Sequence, residues 1–124
     1  MEWYQTQAGA RRLEIERKQM EKAPQFSLCH DTETEELVWR GSIVFNGHSH
    51  QDVRLVYDEN HPYEQMRVYV LKPKLRPRTQ GERLHVHEDG SICYIRYEWN
   101  PNWTAFTVYL TVVRFLDDFY NGRM

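Results

Sequence analysis

Apolar residues recur every three to four positions in the first part of the chain, then every second position, then every three to four again. From Gln5 to Lys22, charged and apolar residues alternate at helical spacing. Ala10, Leu13, Arg17 and Met20 fall on one face, with the arginine stem able to lie along it, so an amphipathic helix is expected. Pro24 stops it. Gln25–His30 (QFSLCH) then places Phe26, Leu28 and His30 on one side of an extended segment. Leu37–Phe45 (LVWRGSIVF), Asp52–Asp58 (DVRLVYD) and Met66–Leu71 (MRVYVL) are rich in β-branched and aromatic residues, and Asn46-Gly47 is a strong hairpin signal. Four such runs joined by short turns predict an antiparallel meander, which needs no crossover. Lys72–Glu82 (KPKLRPRTQGE) carries two prolines and several charges and reads as irregular. After the turn-rich Trp99–Thr104 (WNPNWT), Thr104 is placed to cap a helix over Ala105–Tyr120. Its expected apolar stripe is Phe106, Tyr109, Leu110, Val113, Leu116 and Phe119. The pattern is that of an α+β fold.

Length and composition narrow the classes. At 124 residues the chain suffices for one core, and a single domain over residues 1–124 is expected. Four Trp and eight Tyr let a domain of this size bury a large area. A formal net charge of -2 argues against a nucleic-acid partner. Two cysteines, Cys29 and Cys93, are too few for a disulfide scaffold, and a reducing cytoplasm is the simpler setting. The N-terminus lacks the apolar core of a signal peptide, and no run approaches the ~20 apolar residues of a membrane span.

The stretch HVHEDGSICY, His85 to Tyr94, carries the chemistry. A free cysteine is often just a small buried hydrophobe. Cys93, however, ends a long segment rich in Pro, Gly and charge, where a thiol meets solvent, and Asp89-Gly90 supplies a turn just before it. A thiolate is the most capable side-chain nucleophile near neutral pH, and His85 and His87 are close enough in sequence to orient or stabilise a reacting group. Cys29 lies within an alternating strand and reads as structural. His48/His50 and His85/His87 have the alternate spacing of strand-borne metal ligands. Such a site also needs a glutamate a few residues on and a later histidine. Glu88 follows His87 directly and points away, and no histidine comes after His87, so no metal site is expected. Lys72, Lys74, Arg76 and Arg78 alternate as basic residues, either a solvated face or a docking strip for an acidic partner.

The residues around Cys93 resemble those of the ubiquitin-conjugating enzymes, specifically their compact bacterial relatives. Gly90-Ser91-Ile92-Cys93 matches the active-site tetrapeptide, and Trp99-Asn100-Pro101-Asn102-Trp103-Thr104 matches the Trp-x-Pro-x-x-Thr run leading into a helix. His61-Pro62 stands where the family has a Tyr-Pro turn. The resemblance spans nearly the whole chain and implies a UBC-like fold: N-terminal helix, four-stranded antiparallel meander, active-site loop, C-terminal helix. There are departures. Arg83-Leu84-His85 replaces the eukaryotic His-Pro-Asn, Gln65-Met66 replaces Pro-Pro, Cys93 to Trp99 is shorter than in many eukaryotic members, and the final two helices of the larger enzymes have no counterpart.

The resemblance implies that Cys93 carries a protein C-terminus as a thioester and passes it to an amine, usually a lysine. It makes His85 the candidate oxyanion donor in place of the missing asparagine, with His87 its rival, Glu98 a proton acceptor and Trp99 a supporting residue. No cofactor is expected. The chain has no phosphate-binding glycine loop, so a separate activating enzyme or an already activated donor would supply the acyl group. Similar bacterial proteins belong to antiphage operons that signal by cyclic oligonucleotides (CBASS). There the carrier is a cGAS-like nucleotidyltransferase; in other operons it is a ubiquitin-like protein. Two further readings are a non-catalytic binding module on the same fold and a histidine-rich metal protein.

Overall fold

The computed structural model describes residues 2–44, 50–72, 87, 89–95 and 98–121. A 3-10 turn (Trp3–Gln5) leads into α1 (Gln7–Met20). Four strands follow, β1 (Ser27–Asp31), β2 (Glu36–Val44), β3 (His50–Val56) and β4 (Arg67–Lys72), and then α2 (Ala105–Tyr120). The strands form one antiparallel sheet in chain order, β1-β2-β3-β4, so the meander and the α+β arrangement are as the periodicity implies. Asn46-Gly47 lies outside the described residues, but Val44 pairs with His50 across the connection it belongs to.

The start of α1 shifts from the expected Gln5 because the 3-10 turn takes the preceding residues. Thr6 caps the helix: its hydroxyl accepts the Gly9 N–H at 2.9 Å and donates to the Trp3 carbonyl at 2.9 Å. The chain doubles back so closely that a Cβ on Gly9 would lie 1.6 Å from the Trp3 oxygen, and only glycine fits.

Alternation divides the sheet into two faces. Trp39, Ile43, Val53, Leu55, Val68 and Val70 point to the inner face and join one core with Phe26 and Met66. Against it α2 buries Ala105, Val108, Val112, Phe115, Leu116 and Phe119. This stripe is rotated from the expected one: Leu110 is 52% exposed, and Phe106, Tyr109 and Val113 are only partly covered. Thr107, Thr111, Arg114 and Asp118 line one side of the helix, and the buried face lies away from them, within a broad apolar arc that the expected stripe entered on the other side. Val108 and Val112 are buried together with the rings of Phe115 and Phe119, while those of Phe106 and Tyr109 are only partly covered.

The face of α1 also differs. Ala10 and Arg17 are exposed, and the helix buries Met20 together with Glu16. On the outer face of the sheet Val38 and Val56 are buried as well. An ion pair between Glu36 and Arg67 reaches across β3 there. No helix of the described residues is long and apolar enough to cross a membrane.

Candidate active site

The segment bearing Cys93 starts with a turn that its own residues close. The Asp89 carboxylate accepts from the Ser91 N–H at 2.9 Å and from the Ser91 hydroxyl at 2.6 Å. The Gly90 N–H donates to the His87 carbonyl at 3.0 Å and the His87 N–H to the Ser91 carbonyl at 2.8 Å. Gly90 has φ 90°, a conformation that side chains rarely adopt. The Ser91 hydroxyl and N–H, with Tyr69 and His87 adding to them, hold the Asp89 carboxyl below the usual carboxylate range, so the turn is built around an ionised acid.

From the turn the chain runs beside β4. Ser91 pairs with Tyr69, the Ile92 N–H donates to the Val68 carbonyl at 2.9 Å, and the Tyr94 hydroxyl donates to the Met66 carbonyl at 2.6 Å. Ile92 and Tyr94 are both buried in the core. Alternation therefore turns the intervening Cys93 outward, and its thiol is half-buried, 3.8 Å from the Ile95 carbonyl. Continuing the Ser91–Tyr69 register places Cys93 abreast of Arg67. Burial, with the neighbouring Cys93 charge second, drives the Tyr94 hydroxyl upward, so Tyr94 stays a neutral anchor. A chain of polar groups runs alongside: Glu36 binds Arg67, Arg67 reaches the Tyr69 hydroxyl at 3.4 Å, and Tyr69 reaches Asp89 at 3.4 Å. Spacing gives no hint of this chain, because it joins three separate segments.

After Cys93 the chain is pinned again. The Trp99 indole N–H donates to the Pro62 carbonyl at 2.7 Å, at the cis His61-Pro62 bond. The Trp99 ring packs on Trp103 at 5.6 Å. The Trp103 N–H closes a turn onto the Asn100 carbonyl at 2.9 Å, and Thr104 caps α2 through the Thr107 N–H at 3.5 Å.

Beneath this segment lies a group that sequence reasoning missed. Glu16 is wholly buried. One of its oxygens accepts from the Tyr57 hydroxyl and from the Ala105 N–H, each at 2.7 Å, and the other from Arg12 Nε at 3.1 Å. Arg12 also donates to the Trp103 carbonyl. Burial alone would raise the Glu16 carboxyl, but His61, Tyr57 and the Ala105 N–H outweigh it and the group is held low. His61 Nε2 stands 3.8 Å away, beyond hydrogen-bond reach, so the two 2.7 Å donors carry most of the lowering. The carboxylate sits at the N-terminus of α2, where the helix dipole favours negative charge. The signal was present in the pattern: Glu16 follows Leu13 by three and precedes Met20 by four, within the apolar face.

The structure thus brings Cys93 and Trp99 onto one braced segment. His87 and Glu98 are both exposed near it. His85, Lys74, Arg76 and Arg78 lie outside the described residues, as does the side chain of Lys72. Cys29 is half-buried on β1, with its thiol 3.7 Å from the Ser27 carbonyl. His48 lies outside the described residues, His50 is exposed on β3, and among the described residues no group of three or more His, Cys, Asp or Glu is arranged to hold a metal.

A helix, a four-stranded meander, a cysteine on the segment beside the last strand and a closing helix define an α+β protein of the UBC-like, E2 class. Residues 16–116, well over half of the chain, match the family model described as Type II CBASS E2 protein, and the chain belongs to that family. No curated protein matches it in sequence. Membership makes it an E2-like protein of CBASS defence, a role with protein partners in that pathway.

Proposed function

We propose that the chain is a conjugating enzyme that carries a partner's C-terminus on Cys93 and passes it to an amine. One observation supports this most: Cys93 is turned outward between two buried neighbours, Ile92 and Tyr94, in a chain of the E2 family. A nucleophile so placed is reachable, while its backbone is held. The Cys93 thiolate attacks the activated C-terminal carbonyl of the carrier. A C–S bond forms and the bond to the activating group breaks, AMP leaving if the donor is an acyl adenylate made by a separate enzyme. A lysine amine then attacks the thioester carbonyl; C–N forms, C–S breaks, and the ammonium proton passes to a base, for which exposed Glu98 is the candidate. His85 is the proposed oxyanion donor, a contribution of this kind being worth about 3–4 kcal/mol of barrier; His87 is the alternative. The carrier proposed is a cGAS-like nucleotidyltransferase with a flexible C-terminus, and the basic run from Lys72 to Arg78 is its proposed docking strip.

The test combines the protein with a cGAS-like nucleotidyltransferase, an activating enzyme and ATP, followed by electrophoresis without reductant. A thiol-sensitive adduct that disappears in Cys93→Ala, and becomes a stable ester in Cys93→Ser, is the expected result. An adduct that persists in Cys93→Ala refutes the assignment of Cys93. Loss of rate in His85→Ala with an unchanged melting curve identifies the oxyanion donor; an unchanged rate transfers the role to His87.

A further inference from the structure

One buried imidazole stands apart from the thiol chemistry. The side chain of His61 is wholly buried, and neither ring nitrogen is hydrogen-bonded to a described residue. Its neighbours come from separate parts of the chain. The 3-10 turn brings the Trp3 ring to 4.8 Å, and the exit of β3 brings the Tyr57 ring to 4.5 Å. The segment after Cys93 brings Trp99 to 6.4 Å. From α1 comes the Glu16 carboxylate, whose Oε1 stands 3.8 Å from His61 Nε2 and whose other oxygen holds Arg12. In the loop that carries His61, its backbone N–H donates to the Asp58 carbonyl at 3.0 Å, while the Asp58 carboxylate accepts the Asn60 N–H at 2.9 Å.

The groups that face His61 keep their charge near neutral pH. Burial would raise the Glu16 carboxyl, but its hydrogen-bond donors hold it low and ionised. Burial, with the Glu16 charge second, keeps Tyr57 protonated. Arg12 keeps its proton throughout. An imidazole is the side chain that exchanges a proton near neutral pH, so His61 is where the charge of this cluster can change. Neutral, it stands beyond hydrogen-bond reach of Glu16. With a proton it faces a carboxylate, and an ion pair draws Nε2 to about 3 Å from Oε1. Packed against Trp3 and Tyr57, the ring has little room to swing alone, so the closure is shared with its backbone. That backbone leads into Pro62, whose carbonyl accepts the Trp99 indole N–H at 2.7 Å. We propose that His61 is a proton-sensitive positioning residue: protonated, it moves onto Glu16 and resets, through Pro62 and Trp99, the segment that follows Cys93. The consequence for transfer rests on the conjugating reading above; the coupling of His61 to Trp99 does not.

The experiment follows two NMR resonances from about pH 5 to about pH 8: the His61 ring and the Trp99 indole N–H, the latter assigned with Trp99→Phe. In wild type both are expected to titrate with one midpoint. In His61→Gln, which still donates to Glu16 but takes up no proton, the indole resonance is expected to stay fixed. In Glu16→Gln the shared midpoint is expected to fall, because the carboxylate that favours the imidazolium is gone. An indole resonance that ignores pH in wild type, one that moves equally in His61→Gln, or an unchanged midpoint in Glu16→Gln each overturns the proposal. Should His61→Gln not fold, the Glu16→Gln arm decides. The second readout is transfer from a preformed Cys93 thioester to free lysine. The ratio of wild-type to His61→Gln rates is expected to change at least about 5-fold over the same pH range, the low end of coupling between sites; a constant ratio reduces His61 to structural support and overturns the positioning role. If the two resonances titrate together but no thioester forms on Cys93, the conjugating reading fails and the coupling of His61 to Trp99 stands.

Discussion

Replacing Glu16 by alanine removes the carboxylate on which Tyr57, Ala105 and Arg12 converge. The Tyr57 hydroxyl and the Ala105 N–H, both at 2.7 Å, lose their acceptor in a site with no solvent access, and Arg12 loses its partner at 3.1 Å. A buried donor left unsatisfied costs about 1–3 kcal/mol, and breaking a buried charged pair about 3–5 kcal/mol. These overlap, so the expected loss for Glu16→Ala is about 3–5 kcal/mol, a large share of the ~5–15 kcal/mol by which a domain is stable. Glu16→Gln separates hydrogen bonding from charge. Tyr57 and Ala105 donate to the same oxygen, Oε1, which glutamine retains, whereas its amide would face Arg12. The glutamine variant should therefore lose less than half as much. Urea unfolding followed by tryptophan fluorescence reads both, since four tryptophans report on the fold. With an m-value of about 1.5 kcal/mol/M, the alanine midpoint falls by about 2–3 M. A loss below about 1 kcal/mol for Glu16→Ala, or equal losses for the two variants, would refute the claim that this oxygen anchors α2.

Three other expectations follow from the same geometry. Because the Glu16 carboxyl is held low in the folded protein, its stabilising effect is complete above the unfolded value of about 4.3 and declines as pH falls through the lower folded value; acid titration of wild type should therefore be steeper than that of Glu16→Gln, and identical slopes would contradict it. Gly90→Ala should destabilise by about 1 kcal/mol through backbone strain, because among the described residues, its chain neighbours aside, nothing lies within 4 Å of the added Cβ; thermal melts check this, and a stabilised variant would exclude the positive-φ turn. Trp99→Phe removes the 2.7 Å bond to the Pro62 carbonyl and should lower stability by about 1 kcal/mol, with faster hydrogen exchange at the Trp103 amide; an unchanged exchange rate would mean that the indole does not pin this segment.

The sequence by itself determined the order of elements. Strand alternation in Val53, Leu55 and Tyr57, the Asn46-Gly47 signal, and the capping residue Thr104 are local properties, carried by side-chain periodicity and backbone preference within a few residues. The cysteine at position 93, the Asp89-Gly90 turn and the run from Trp99 to Thr104 were also legible, because each is a contiguous motif. The tertiary structure decided how far round α2 the buried face lies, since the polar stripe of Thr107, Thr111, Arg114 and Asp118 leaves a broad apolar arc of which the sheet fully covers only part. It alone decided the partners of Glu16, which lie 41 and 89 residues away in the chain. The same holds for the outward turn of Cys93, fixed by Ile92 and Tyr94 docking beside β4, and for the polar chain from Glu36 to Asp89. Burial of a charge is settled only when distant donors converge on it, and no local pattern encodes that convergence.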